Sequence, residues 1–563
     1  MKTQGEIHWG ERVVVHLKKC PNWMSCFGLC LWALIIRLLA AGKVFPAQGD
    51  ASHFVQYGKA YLATGMDAIS GYWSLLPQFL TALSVKLGLM PQFVLQATTV
   101  AFGVLLVAGV YALAIELTQR RSIALAAGLL IATNPVLTAS STSGLSETPH
   151  MALATWALTL AFAGARKRSA WLFALAGAVA SVDMYYRPYD LFLYLVGAAP
   201  FILWRLKGNG WGKNALLVGA GILVGLVCST PFFVITGMKS AGSVGTSKLS
   251  NLAYGEDGLD AKAMYAAKGL HGDETPFSQR IHELQERGAW GYMWVHKNEV
   301  IGNYVRNVMR GIRDLNGHMF TGMFHMGLFW FGLLGVLFVM ALWREHCGWV
   351  ALYATCSMGV ILAALSLGFV HPRWVMQFMP FYVLLAGGGF AWLMRRLPDE
   401  KLQMVVLGCL VLLGLFNGRW AVARLDDEWK KRNLFPVCER LHELMGEDEK
   451  LMSFHPELPA LFFQTNALNW VNIPFDSVEE VFALADAEKV DCIVLHDGTF
   501  PHFPIHEIER HPGMISAPWQ EIDRLDFEQE TRFELERDVY RVYRRNLPEN
   551  APQNRQPSCI EPR

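Results

Sequence analysis

Long apolar runs, not short alternating ones, dominate the chain as far as Asn417. Runs long enough to cross a bilayer as helices, roughly twenty residues each, fall at Met24–Val44, Gln92–Thr118, Ser122–Ser140, Thr148–Ala165, Ala170–Tyr186, Tyr189–Trp204, Ala215–Thr236, Phe320–Trp343, Trp349–Val370, Arg373–Met394 and Lys401–Asn417. The pattern therefore predicts about eleven spans. The first follows Lys18 and Lys19 as a signal peptide would, but its length reads as an uncleaved anchor.

Charge orders these spans. Arg120-Arg121, Arg166-Lys167-Arg168, Arg205 with Lys207, Arg344 and Arg395-Arg396 fall on the same side as the basic amino terminus, which the positive-inside rule makes cytoplasmic. One further segment, Ser74 to Met90, is apolar but short and carries Lys86. Counting it as a span would reverse every later loop, so it reads as a re-entrant or interfacial helix on the outer side. Residues 1–21 are then cytoplasmic, 22–420 form the membrane part with outer loops 45–91 and 237–317, and the remainder lies outside.

After Trp420 the composition turns towards charge and proline. Ser477–Glu488 reads as a helix, Cys492-Ile493-Val494-Leu495 as a buried strand and Val539-Tyr540-Arg541-Val542-Tyr543 as an alternating strand. Residues 421–547 are thus expected to form a small extracytoplasmic α/β domain, and 548–563 a disordered tail. The expected fold class is a polytopic α-helical membrane protein with this added domain. A content of 53% hydrophobic and 17% charged residues agrees, and a net charge of +1 gives no reason to expect nucleic acid as a partner. The ten cysteines show no metal-ligand spacing; a Cys438–Cys492 bond is conceivable only in an oxidising compartment.

Few residues in such a chain can carry chemistry. Asp50 follows the first span and heads an amphipathic stretch with Phe54, Tyr57, Tyr61 and Leu62 on one face, so it can cap a helix, react, or do both. His53 stands one turn on, as an assisting group or a surface histidine. Glu147, at an outward turn between spans, can cap a helix or act as a second acid. Arg187 and Arg373, the latter beside His371, stand at outward span ends, where an arginine either grips a phosphate or snorkels to headgroups. Lys248, in a Gly- and Ser-rich outer loop, can meet a phosphate or simply be solvated. Arg37 lies inside the first span and needs either a partner or a route to the surface.

In order along the chain stand Gly49-Asp50-Ala51-Ser52-His53, Trp73-Ser74-Leu75-Leu76-Pro77 leading to Lys86-Leu87-Gly88, Asn134-Pro135, Ser146-Glu147, Arg187-Pro188, and His371-Pro372-Arg373-Trp374 leading to Met379-Pro380. This series resembles the GT-C superfamily of glycosyltransferases, in particular the protein O-mannosyltransferase-like group (glycosyltransferase family 39-like) that includes bacterial lipid A aminoarabinose transferases. The resemblance implies a sugar donor carried on a polyprenyl phosphate, a lipid, glycan or protein acceptor, inversion at the anomeric carbon, and a site in a bacterial inner membrane. For such chemistry Asp50 is the candidate base, directly or through a divalent metal such as Mg or Mn, with Arg187, Arg373 and Lys248 as candidates for the donor phosphate and His53 and His371 as assisting groups. The acidic pair usual in that group is here Asp50-Ala51, so the second acidic function falls to Glu147 or to a metal. The alternatives are an O-antigen polymerase or ligase, which would rely on outer-loop arginines, and a transporter or flippase. A transporter would need interior charges, of which Glu116 and Asp183 are the main ones besides Arg37.

Overall fold

A computed structural model describes residues 21–44, 46, 49–69, 74–208, 210–236, 283, 286–288, 291–320, 348–366, 376–397, 399–423 and 433–545, the last with breaks at 447, 454–456, 464–468, 474–477, 497–518 and 531–534. The chain divides between Arg432 and Asn433 into two compact units.

The first unit is helical: α1 (Asn22–Ala41), α2 (Asp50–Thr64), α3 (Leu75–Lys86), α4 (Pro91–Thr118), α5 (Arg121–Ala132), α6 (Pro135–Ser140), α7 (Glu147–Lys167), α8 (Ala170–Met184), α9 (Pro188–Leu206), α10 (Trp211–Thr236), α11 (Lys297–Phe320), α12 (Gly348–Leu365), α13 (Met379–Arg396) and α14 (Glu400–Ala423). Among the described residues five stretches are long and apolar enough to cross a membrane: α1, α4, Gly212–Thr236 in α10, α12, and Met376–Met394 around α13. The apolar window around α13 is 83% buried and that of α10 only 17%, so α13 lies at the centre of the unit and α10 at its rim. The large apolar side chains that α10 leaves exposed, such as Leu223, Val227 and Val234, suit contact with lipid tails. The expected span Phe320–Trp343 lies, after Phe320, outside the described residues.

Two helices differ from a plain spanning reading. At 12 residues, α3 is about 18 Å long, well short of a bilayer core. Its start is tied to the turn after α8, where Ser74 Oγ donates to the Tyr186 carbonyl at 2.7 Å and Leu76 N–H to the Tyr185 carbonyl at 3.1 Å.

The stretch expected as one span, Ser122–Ser140, is instead broken. Pro135 cannot continue α5, and the Asn134 side chain accepts the Leu137 N–H at 3.0 Å to start α6. A backbone carbonyl freed inside a membrane must find a donor. Arg37 supplies it, its Nη1 donating to the Ala132 carbonyl at 3.2 Å and to Ala33 at 3.3 Å. Arg37 therefore does not snorkel. It is fully buried, and a Cβ at Gly103 would come within 2.4 Å of its Nε.

At the other end of α4, Glu116 gathers two arginines. Arg166 Nε and Nη2 hold its carboxylate at 2.7 and 2.8 Å, and Arg205 Nη1 adds a bond at 3.0 Å while its guanidinium lies over the Trp349 ring. This knot joins the carboxyl ends of α4, α7 and α9 to the start of α12.

The second unit contains α15 (Leu434–Leu444), β1 (Leu451–Ser453), α16 (Glu457–Phe462), β2 (Trp470–Asn472), α17 (Val478–Ala487), β3 (Cys492–His496), β4 (Trp519–Glu530) and β5 (Leu535–Arg545). The sheet runs β2-β1-β3-β5-β4, parallel through β3 and antiparallel from β3 to β4. β3 is buried along its whole length, as its unbroken apolar run requires, and Ile493 pairs with Tyr543 in register. Phe482 of α17 packs edge-on against both Trp519 and Tyr543. Cys438 and Cys492 are both buried, and no disulfide joins them.

Candidate active site

Four chain segments meet at one end of the first unit: the start of α2, the start of α7, the end of α8 and the start of α9. Gly49, with φ near 51°, occupies the cap position of α2, and Asp50 is its first helical residue. The Asp50 carboxylate thus stands at the positive end of the helix dipole, although the capping residue itself is Gly49. Ala51 is fully buried against the turn that leads into α7. There Gly144 has φ of +75°, and a Cβ on it would meet the Pro46 carbonyl at 2.9 Å and the Ala51 Cβ at 3.1 Å. A side chain larger than Ala at position 51, or any at 144, would separate the Asp50 turn from the Glu147 turn. A second acid beside Asp50 would have no room in this packing.

Arg187, between α8 and α9, is the hub. Its Nη2 donates to Glu147 Oε1 at 2.6 Å, Nη1 to Asp190 Oδ2 at 2.8 Å, and Nε to Ser146 Oγ at 3.2 Å. Burial works against its charge, but the carboxylates of Glu147 and Asp190, with a further contribution from Asp50, hold its pKa above the ordinary guanidinium value. Glu147 is wholly buried, whereas the Arg187 side chain remains 17% exposed. Three of five N–H groups are engaged in these bonds, which leaves one on each terminal nitrogen. Arg187 therefore does not snorkel, and Glu147 faces Arg187.

Of the residues singled out from the sequence, the fold gathers Asp50, Glu147 and Arg187. His53 is turned to Gln56, its Nδ1 lying 3.2 Å from Oε1. Lys248, His371 and Arg373 lie outside the described residues. Among the described residues no three His, Cys, Asp or Glu side chains gather as a metal site.

Several site residues escaped the sequence reading. Asp190 follows Arg187 by three positions at a helix start, a spacing that could have been read as an ion pair. Gln377, in an apolar run, donates through Nε2 to Asp190 Oδ2 at 2.9 Å and is fully buried. His150, without exposure, lies with its Nδ1 2.9 and 3.0 Å from the two carboxylate oxygens of the equally buried Asp183, which the sequence marked only as an interior charge. Only the polarity of these residues within apolar runs could have flagged them.

Residues 74–235 match the family described as dolichyl-phosphate-mannose-protein mannosyltransferase, a stretch that includes Glu147 and Arg187. Two solved structures share the fold. The archaeal oligosaccharyltransferase AglB from Archaeoglobus fulgidus, in complex with an inhibitory peptide and a dolichol-phosphate, is 11% identical over 85% of this chain and 69% of its own, with a TM-score of 0.53. ArnT from Cupriavidus metallidurans, bound to undecaprenyl phosphate, is 10% identical over 91% of this chain and 97% of its own, also with a TM-score of 0.53. No curated protein sequence matches the chain significantly. The resemblance read from the motifs thus holds: the chain has the fold of the GT-C glycosyltransferases and, over residues 74–235, the pattern of the dolichyl-phosphate-mannose-protein mannosyltransferase family.

Proposed function

We propose that this protein is an integral membrane glycosyltransferase that moves a sugar from a polyprenyl-phosphate carrier to a hydroxyl-bearing acceptor on the extracytoplasmic face. The observation that carries this reading is Arg187, held by Glu147, Asp190 and Ser146 with an exposed edge and two uncommitted N–H groups, in the electrostatic neighbourhood of Asp50. That the related ArnT is bound to undecaprenyl phosphate and AglB to a dolichol-phosphate supports a lipid phosphate as the anion.

The chemistry follows from the groups present. The acceptor hydroxyl attacks the anomeric carbon from the face opposite the phosphate, so the configuration inverts. The bond from that carbon to the phosphate oxygen breaks, its electron pair stays on the phosphate, and Arg187 stabilises the charge that develops there. The hydroxyl proton passes to Asp50 as general base. Glu147, buried on Arg187, orients the guanidinium and does not touch substrate.

Interior charge fits this reading better than transport. Glu116 is tied to Arg166 and Arg205, and Asp183 to His150, so both main interior acids are engaged in fixed pairs. The test is transfer from a radiolabelled polyprenyl-phosphate sugar by the purified protein, with and without EDTA. Transfer that survives EDTA and depends on Arg187 supports the proposal, and export of label without glycosidic bond formation overturns it.

A further inference from the structure

The His150–Asp183 pair lies beneath the site and touches no surface. Both residues are fully buried. Replacing such a pair by apolar side chains of similar volume often costs little stability, so its presence calls for another account. His150 Nδ1 faces both Asp183 oxygens, whereas its Nε2 has no hydrogen-bond partner among the described residues, so the imidazole is fixed through one nitrogen only.

The contacts around the pair form a closed circuit on Arg187. The Asp183 carbonyl accepts the Arg187 backbone N–H at 2.9 Å, and the Asp183 side chain holds His150. The His150 ring meets the Tyr194 ring edge-on at 5.3 Å, and the Tyr194 hydroxyl donates to the Gln377 carbonyl at 2.7 Å. Gln377 Nε2 donates to Asp190 Oδ2, the same oxygen that accepts from Arg187. A second path closes through α7, where the His150 N–H donates to the Ser146 carbonyl at 3.1 Å and Ser146 Oγ accepts from Arg187 Nε. The pair thus pins the amino end of α7, which presents Glu147, to the carboxyl end of α8, which precedes Arg187.

We propose that His150 and Asp183 are positioning residues that set the Glu147–Arg187 ion pair and so aim the guanidinium at its anion. The proposal deepens the functional reading above by saying what orients its central cation. Neither residue touches substrate, and the role of His150 is to donate from Nδ1; its Nε2 performs no chemistry.

The test separates this from a general structural role. In the purified full-length protein, the coupling between Glu147 and Arg187 is measured as the non-additivity of thermal midpoint shifts for Glu147→Gln, Arg187→Gln and the double variant. The same cycle is repeated in the His150→Phe/Asp183→Leu background. The coupling should vanish there, and a coupling of undiminished size would overturn the proposal. His150→Asn, which keeps an N–H donor for Asp183 but has no second ring nitrogen, should restore the coupling and the transfer rate. Loss of either with His150→Asn would assign the role to the imidazole itself and contradict the proposal, and this variant decides the matter if the apolar pair fails to fold. In transfer assays the apolar pair should lower the rate about 100-fold with Arg187 present, as a misplaced catalytic group does, and add nothing once Arg187 is Gln. Binding of undecaprenyl phosphate, read by native mass spectrometry, stands apart: its absence from the wild type would sink the functional reading and leave the coupling result intact.

Discussion

Arg187 meets Glu147 at 2.6 Å, and of the two side chains only Arg187 keeps an exposed edge. Stranding a buried charge without any partner costs about 3–5 kcal/mol, and losing one of two carboxylate partners costs less than that. Glu147→Gln should therefore lower the thermal midpoint and reduce transfer while leaving Arg187 on Asp190. Arg187→Lys, which cannot reproduce the forked contacts, should lose transfer by about 100-fold. Initial rates against donor concentration, read beside a melting curve for each variant, check both outcomes. A Glu147→Gln variant with unchanged stability and rate would remove Glu147 from the site.

The close fit of Ala51 and Gly144 makes a second prediction. Gly144→Ala places a Cβ at a φ of +75° and within 2.9 Å of a carbonyl, and should destabilise by about 1–3 kcal/mol. Ala51→Glu, which would rebuild the acidic pair of the resembled group, should unfold or weaken the protein and not raise its activity, because position 51 is fully buried. Thermal unfolding of the two variants decides this, and a stable, more active Ala51→Glu would contradict it.

The helices were legible in the chain wherever apolar length was the only requirement. The runs at Met24–Val44 and Gln92–Thr118 appear as α1 and α4 with ends shifted by a few residues. The break at Asn134-Pro135 was not, although Pro135 announces it, because a broken helix in a membrane depends on a distant donor, here Arg37. Asp50, Glu147 and Arg187 were legible as candidates because they stand at helix starts and loop ends where charge is conspicuous. Asp190, Gln377 and the His150–Asp183 pair depend on which helices become neighbours, and one-dimensional spacing does not encode that. In the second unit, β3 and β5 were visible as apolar and alternating runs, but the strand order of the sheet was not.

Glu116 is predicted to be structural. Glu116→Ala leaves Arg166 and Arg205 facing each other without their carboxylate, and should lower stability by about 3–5 kcal/mol. The remaining folded fraction should keep the wild-type donor KM. Kinetics normalised to folded protein test this, and a changed KM would bring Glu116 into the reaction path.

Cys492 offers a check on the second unit. Burial pushes its thiol up to about 12, so at pH 8 almost no thiolate is present in the folded chain. Maleimide should label it only after unfolding, and Cys438, also buried, should behave likewise. Fast labelling of Cys492 in the native protein would contradict the buried position of β3.

Asp50 is proposed to take the acceptor proton beside Arg187. The most direct measurement is transfer by Asp50→Asn, a substitution that keeps the size of the side chain at the first position of α2. Loss of a general base lowers rates by about 10²–10⁴-fold, so transfer from radiolabelled polyprenyl-phosphate sugar should fall by that amount while undecaprenyl phosphate still binds and the protein stays folded. Full activity in Asp50→Asn would contradict the account.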